Sequence, residues 1–213
     1  MKKILINSIH ENEIRVAIIH GNKLCNLDIA SFDRQSIMSN IYKGRITRIE
    51  SSLEAVFIDY GLKRNGFLPF KEIHKEYFPL KFLNTCNYKI HHPLIEGQEF
   101  IVQVIKNERG TKGALLTTFI SLVGSYLVLL PYNFNVKGIS KKIKGHNRIL
   151  LKKMISMLNI PNNMGVIIRT AGENQSIEIL QKDLEFCIND WNKIQKSLIR
   201  YSAPCLIYKK KIF

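Results

Sequence analysis

Phe57 and Phe67 stand in a stretch that also holds Lys43, Arg45, Arg48, Lys63 and Arg64. Aromatic faces that stack on bases, beside cations that attract phosphate, are the chemistry of a protein holding single-stranded nucleic acid. Phenylalanine is buried more often than displayed, so from residue type alone core is favoured over stacking for either ring. A second group lies downstream, where Arg169-Thr170-Ala171-Gly172 puts a guanidinium, a hydroxyl and backbone N–H groups at the junction from a strand to a helix. These groups suit a phosphate, although an Arg-Thr pair at a strand end is more often an ordinary turn. Between the two groups, the run from Asn107 to Gly113 combines two glycines with Arg109 and Lys112, a turn suited either to a nucleic-acid backbone or to solvent.

Hydrolytic chemistry has no comparable signal. Asp59 belongs to a turn and Glu54 is a single charge, so the carboxylate cluster that would hold Mg²⁺ is absent from the pattern and the chain is expected not to cut a phosphodiester. His91-His92 suggests a metal only at first sight, because neighbouring side chains diverge and no third ligand is near. Cys25, Cys86, Cys187 and Cys205 are far apart and form no C-x-x-C, which argues against a zinc site or a disulfide framework and for reduced packing residues.

The elements that must position these groups follow from period and turn chemistry. From Asn40 to Pro69 three short strand-like runs are joined by Asp59-Tyr60-Gly61 and Arg64-Asn65-Gly66 as a meander. Alternation puts Ile41, Lys43, Arg45 and Thr47 on one face and Tyr42, Gly44, Ile46 and Arg48 on the other, with Phe57 and Phe67 on neighbouring strands. Glu99 to Lys106 and Gly113 to Phe119 read as a fourth and a fifth strand; between, Lys71 to Lys75 reads as a helical turn within a long connection reaching Pro93. Upstream, Lys3 to Asn7, Glu13 to Ile19 and Lys23 to Ile29 form an antiparallel meander, and Ser31 to Ser39 is a linker. Downstream, Tyr126 to Leu130 and Gly165 to Ile168 read as strands, Val136 to Lys144 as a basic loop or hairpin, and Arg148 to Leu158 as a helix. The clearest amphipathic helix carries Ile177, Leu180, Leu184, Ile188, Trp191, Ile194 and Leu198 at intervals of three and four, which assigns Trp191 to the core.

The totals agree with a globular nucleic-acid binder. A 213-residue chain with 46% hydrophobic residues can bury real cores, and a net charge of +15 with a pI of about 9.7 favours a polyanionic partner. The excess rests on lysine beside abundant Ile and Asn, a bias that a base composition rich in A and T also produces, so the placement of charge around the aromatics carries more weight than its total. No run approaches the ~18 apolar residues of a membrane span, and a cytoplasmic protein is expected.

Asn40-Ile-Tyr-Lys-Gly-Arg-Ile, Ala55-Val-Phe-Ile-Asp-Tyr-Gly and Gly66-Phe-Leu-Pro resemble the first strands of the small RNA-binding barrel of the ribonuclease E/G family. Gly110-Thr-Lys-Gly-Ala-Leu-Leu-Thr-Thr, Gly124-Ser-Tyr-Leu-Val-Leu, Gly138-Ile-Ser and Ile167-Ile-Arg-Thr-Ala-Gly extend the resemblance over nearly the whole chain, closer to the ribonuclease E branch than to the shorter ribonuclease G branch. The resemblance implies a mixed β and α+β fold. Residues 1–35 would form a β meander that opens an RNase H-like fold, 36–119 a five-stranded OB-fold barrel inserted after it, and 120–213 an α+β five-prime sensor.

The resemblance further implies that Phe57, Phe67, Lys106 and Lys112 contact RNA, with Lys43 and Arg45 nearby, and that Arg169, Thr170, Val128, Gly124 and Lys141 serve a five-prime monophosphate. Lys141-Lys142 stands where the family usually has an Arg pair, keeping the charge without the planar fork. In the family the Mg²⁺-binding aspartates and a C-P-x-C zinc link lie beyond the position of Phe213, so no cofactor is expected in this chain. The function implied is single-stranded RNA capture and five-prime-end sensing for a ribonuclease E-like endoribonuclease, acting in mRNA decay and rRNA and tRNA processing. The expected partners are RNA with a five-prime monophosphate, the remaining nuclease portion and other degradation-complex proteins, and neither duplex DNA nor a membrane. The other readings are a free-standing RNA-binding protein without nuclease activity and the inactive product of a decayed gene.

Overall fold

The computed structural model describes residues 2–10, 13–31, 36–77 and 94–210. His91, His92 and Cys86 lie outside them. The chain divides into two compact units, Met1–Ile37 and Met38–Phe213.

The first unit is a three-stranded antiparallel meander of β1 (Lys2–His10), β2 (Glu13–His20) and β3 (Lys23–Ser31). Gly21, at φ 62, makes the turn between β2 and β3. The three strands pair as the meander the sequence indicates, yet Ile4 and Ile6 remain 66% and 70% exposed.

In the second unit, β4 (Ile41–Glu50), β5 (Ala55–Asp59), β6 (Gly66–Pro69), β7 (Glu99–Lys106) and β8 (Leu115–Thr117) close into a barrel. The order around it is β4-β5-β6-β8-β7, and β7 returns to pair with β4. The β6–β8 contact is parallel and the other pairings are antiparallel. A closed barrel leaves no free edge, and its interior is filled by inward residues including Ile46, Val56, Ile58, Tyr60, Leu68, Phe100, Val102 and Leu116. Short 3₁₀ turns at Phe70–Glu72 and Lys75–Tyr77 follow β6.

One departure from simple alternation matters for function. Ile46 pairs with Ile58 but Arg48 pairs with Phe57, so β4 carries one extra residue at this point. Such a bulge reverses the face of everything after it. Arg48 therefore leaves the face of Tyr42, Gly44 and Ile46, where strict alternation places it, and stands exposed on the outer face beside Phe57.

The remainder forms a sheet ordered β11-β12-β10-β9 from β9 (Leu122–Val123), β10 (Leu127–Pro131), β11 (Lys137–Ile139) and β12 (Met164–Ile168). Two helices accompany it, α1 (Gly145–Met157) and α2 (Ile177–Arg200). The segment around Val136 to Lys144 is not a hairpin, because β11 joins the edge of β12 in parallel. Three residues are too few to show a period, so alternation alone does not reveal this strand.

Trp191 is 1% exposed and sits with Leu180, Leu184 and Ile194 of α2 against Leu127, Leu129, Val166 and Ile168. This core also takes in Ile41 and Ile101 of the barrel strands. A last strand, β13 (Cys205–Tyr208), pairs antiparallel with β4 where β5 leaves off.

Candidate nucleic-acid interface

The register across the barrel lines up one row of residues. Arg48 pairs with Phe57, Phe57 with Phe67, Phe67 with Leu115 and Leu115 with Lys106. Five strands at a spacing of about 4.8 Å make this row about 19 Å long. Its centre is a pair of half-buried rings with centroids 5.9 Å apart and planes at 65°. The outer face thus carries an apolar platform with a cation at either end. The Arg48 guanidinium carbon lies 6.0 Å from the Phe57 ring centroid, close enough for a cation–π contact. Glu50 steadies Arg48 through an ion pair and accepts a hydrogen bond from Ser52 at 2.6 Å. Ser52 and then Arg48 hold the Glu50 carboxyl below its usual range.

The rim of the platform is fixed by backbone contacts. The Thr47 hydroxyl donates to the Phe57 carbonyl at 3.1 Å and accepts from the Asn65 amide at 3.0 Å. Lys112 stands exposed in a turn closed by reciprocal backbone hydrogen bonds with Arg109 at 3.1 and 3.0 Å. Arg64 donates to the Gly110 carbonyl and lies 4.0 Å from Glu108, so the two rim loops are tied together. A Cβ on Gly113 would overlap the Asn65 carbonyl oxygen, so glycine is required where the loops meet.

Lys43 and Arg45 turn to other partners. The Lys43 ammonium donates to the carbonyls of Leu198 and Tyr201 at 3.1 and 3.0 Å and pairs with Glu99 at 3.0 Å. Arg45 donates to Glu99 and to the Ala203 carbonyl at 3.3 and 3.2 Å. Both cations fasten the barrel to the end of α2 and the segment after it. Strand alternation could not show this, because the acceptors lie more than 150 residues away along the chain.

A second cluster forms where β12 ends. Val128 pairs with Ile167, and the Arg169 guanidinium donates to the carbonyls of Gly124 and Ser125 at 2.6 and 3.1 Å. On the other side of β12, Ile139 pairs with Ile168 and the Ser140 N–H donates to the Ile168 carbonyl at 2.8 Å, so the chain leaves β11 for Lys141 at the same end of the sheet where β12 leaves for Arg169. Arg169, Thr170 and Lys141 are exposed, Val128 is half-buried and Gly124 is buried. Topology therefore gathers all five residues expected to serve a terminal phosphate at one strand end. Arg148 of α1 draws in the carbonyls of Ile139, Ser140 and Ile143 at 3.3, 3.0 and 3.3 Å and so orders the loop bearing Lys141.

One participant here escapes a sequence reading and another is named by it but put on the wrong face. The bulge hides the face of Arg48, and Asp183 lies far along the chain from the Gly124 turn whose amides it accepts. No motif announces Asp183. Among the described residues, no group of three His, Cys, Asp or Glu side chains is placed to hold a metal ion.

A closed five-stranded barrel with an outward aromatic pair and flanking cations defines a single-strand nucleic-acid-binding module of the OB type. Comparison with known proteins agrees: residues 39–119 match the S1 RNA binding domain and residues 121–213 match the Ribonuclease E/G family. The chain belongs to the ribonuclease E/G family. It is 54% identical over 210 residues to ribonuclease E of Buchnera aphidicola subsp. Schizaphis graminum, which covers 99% of this chain and 22% of that protein. Ribonuclease E of Escherichia coli K12 is 51% identical, with 99% of this chain and 20% of that protein covered. Ribonuclease G of Escherichia coli K12 is 35% identical over 97% of this chain and 42% of its own length. The chain spans 20% to 51% of the length of the ribonuclease E relatives it matches.

Proposed function

We propose that this chain captures single-stranded RNA on the barrel and reads its five-prime end at the close of β12, as the RNA-binding and sensing portion of a ribonuclease E-like enzyme. The observation that carries the reading is the row from Arg48 through Phe57 and Phe67 to Lys106, which offers two rings to bases and a cation to phosphate at either end. Bases present a stackable face only when unpaired, so single strands are preferred to duplexes. The relatives' names denote RNA cleavage; the part assigned to this chain is to hold and orient the substrate.

At the second site, a terminal monophosphate bears nearly two negative charges at neutral pH and offers three acceptor oxygens. The Arg169 guanidinium, the Thr170 hydroxyl and the Lys141 ammonium supply donors on the scale of one compact phosphate. A five-prime hydroxyl lacks the charge they answer.

The deciding measurement is fluorescence anisotropy with short RNAs that differ only at the five-prime end. Tighter binding of the monophosphate form is expected, with Arg169→Ala or Thr170→Val removing the difference while hydroxyl-ended RNA still binds the barrel. Equal affinity of the wild type for both ends would rule the sensing role out. Loss of RNA binding that fails to follow Phe57→Ala and Phe67→Ala would rule out the barrel role.

A further inference from the structure

The turn Gly124–Leu127 is held from two sides by opposite charges. The N–H groups of Ser125, Tyr126 and Leu127 donate to the Asp183 carboxylate at 3.0, 2.8 and 3.0 Å. The carbonyls of Gly124 and Ser125 accept from one nitrogen of the Arg169 guanidinium. Two backbone bonds complete the frame, from the Gly124 N–H to the Leu127 carbonyl and from the Arg169 N–H to the Tyr126 carbonyl, at 2.9 and 2.8 Å. Successive amides converging on one anion make a nest of the kind that ordinarily receives phosphate. Here the nest is filled from within by a side chain of α2.

The sequence is shaped to admit that carboxylate. A Cβ on residue 124 would lie 2.6 and 2.8 Å from the two Asp183 oxygens, closer than any real contact allows, so a side chain there would expel it. A negative charge this near a phosphate site opposes the ligand by Coulomb repulsion. Its presence needs a compensating role, and the turn provides one. Arg169 meets the phosphate with whatever guanidinium N–H groups the turn carbonyls leave outward, so the shape of the turn decides where those donors point.

We propose that Asp183 is a positioning residue of the five-prime-phosphate site: its carboxylate fixes the Gly124–Leu127 turn, and through the turn the orientation of Arg169. The proposal rests on the phosphate reading given above. Without Asp183, three neighbouring amides lose their acceptor, the turn relaxes and Arg169 loses the carbonyls that aim it. The freed nest also becomes a second, misplaced attraction for the phosphate.

The test uses the full chain, with Asp183→Ala, Asp183→Asn and short single-stranded RNAs ended by a monophosphate or a hydroxyl. Asp183→Ala is expected to reduce the preference for the monophosphate by about ten-fold or more, the equivalent of one lost charge-assisted hydrogen bond. Affinity for hydroxyl-ended RNA should stay unchanged. Asp183→Asn keeps an acceptor oxygen and should fall between; it carries the test if Asp183→Ala does not unfold cooperatively. Amide hydrogen exchange adds a readout independent of RNA: Ser125, Tyr126 and Leu127 should exchange faster in both variants while α2 keeps its protection. A folded variant with wild-type preference and unchanged exchange overturns the positioning role alone. A wild type that does not distinguish the two ends overturns the phosphate reading and this inference with it.

Discussion

Phe57 and Phe67 show how a residue type with two ordinary uses is assigned by its neighbours. Both rings are half-buried, face outward and touch each other in a tilted edge arrangement. A core phenylalanine truncated to alanine costs roughly 3–5 kcal/mol of stability, and these rings are only partly removed from water. Each Phe→Ala change is therefore expected to weaken single-stranded RNA binding by roughly 1–3 kcal/mol with a smaller loss of stability than the core figure. Paired binding and thermal-unfolding measurements on the same variants check this, and a loss confined to stability would return both rings to a packing role. The lysines act differently. Lys106 and Lys112 are exposed and, in the proposed reading, meet phosphate as point charges, so Lys→Ala at either should flatten the slope of log affinity against log salt by about 0.7. An unchanged slope would remove that lysine from the contact.

Among the elements, the barrel rim is set by a close approach of two loops. Gly113 passes so near the Asn65 carbonyl that no side chain fits, and the same Asn65 holds Thr47, which in turn holds the Phe57 backbone. Gly113→Ala must therefore move one loop, lowering the melting temperature and RNA affinity together; a fully stable variant with normal affinity would show that the rim yields freely. Much of this level was legible in the sequence. The barrel strands, both helices and the burial of Trp191 followed from alternation and from the spacing of Ile177, Leu180, Leu184 and Trp191. The face of Arg48 was not, because a bulge adds one residue without changing composition. Nor were the partners of Lys43 and Arg45, which are carbonyls near residue 200, and carbonyls are present at every residue whatever its type. The pairing of β13 with β4 was equally hidden, since four residues carry no mark of the strand they join.

At the scale of the molecule, a net charge of +15 makes self-repulsion a standing cost, partly offset by the ion pairs that Glu99 forms with Lys43 and Arg45. Their hydrogen bonds, Lys43 first, hold the Glu99 carboxyl below its usual range. A depressed folded-state pKa gives stability that is present above the unfolded value, about 4.3, and is lost as pH falls through the folded one. Glu99→Gln should thus lower the melting temperature near neutrality, and the gap from wild type should close as pH drops below about 4. The pair is partly exposed, so the effect is small and fades with salt. A gap that widens in acid would have the wrong sign for this linkage.

Lys43 has a further consequence, because it grips the last carbonyls of a helix whose other end lies beside the Gly124 turn. α2 has 24 residues, about 36 Å of rigid rod, with Asp183 near its start and Leu198 at its close. Asp183 ties the start of that helix to the Gly124 turn and Lys43 ties its end to β4 of the barrel, so one helix joins the two regions. Under the proposed reading, oligonucleotides too short to bridge the two regions would gain from one site or the other, and those just long enough would gain from both at once. Affinity for monophosphate-ended RNA should then climb in a step with length rather than smoothly, and Lys43→Ala, by loosening the helix at the barrel, should blunt that step.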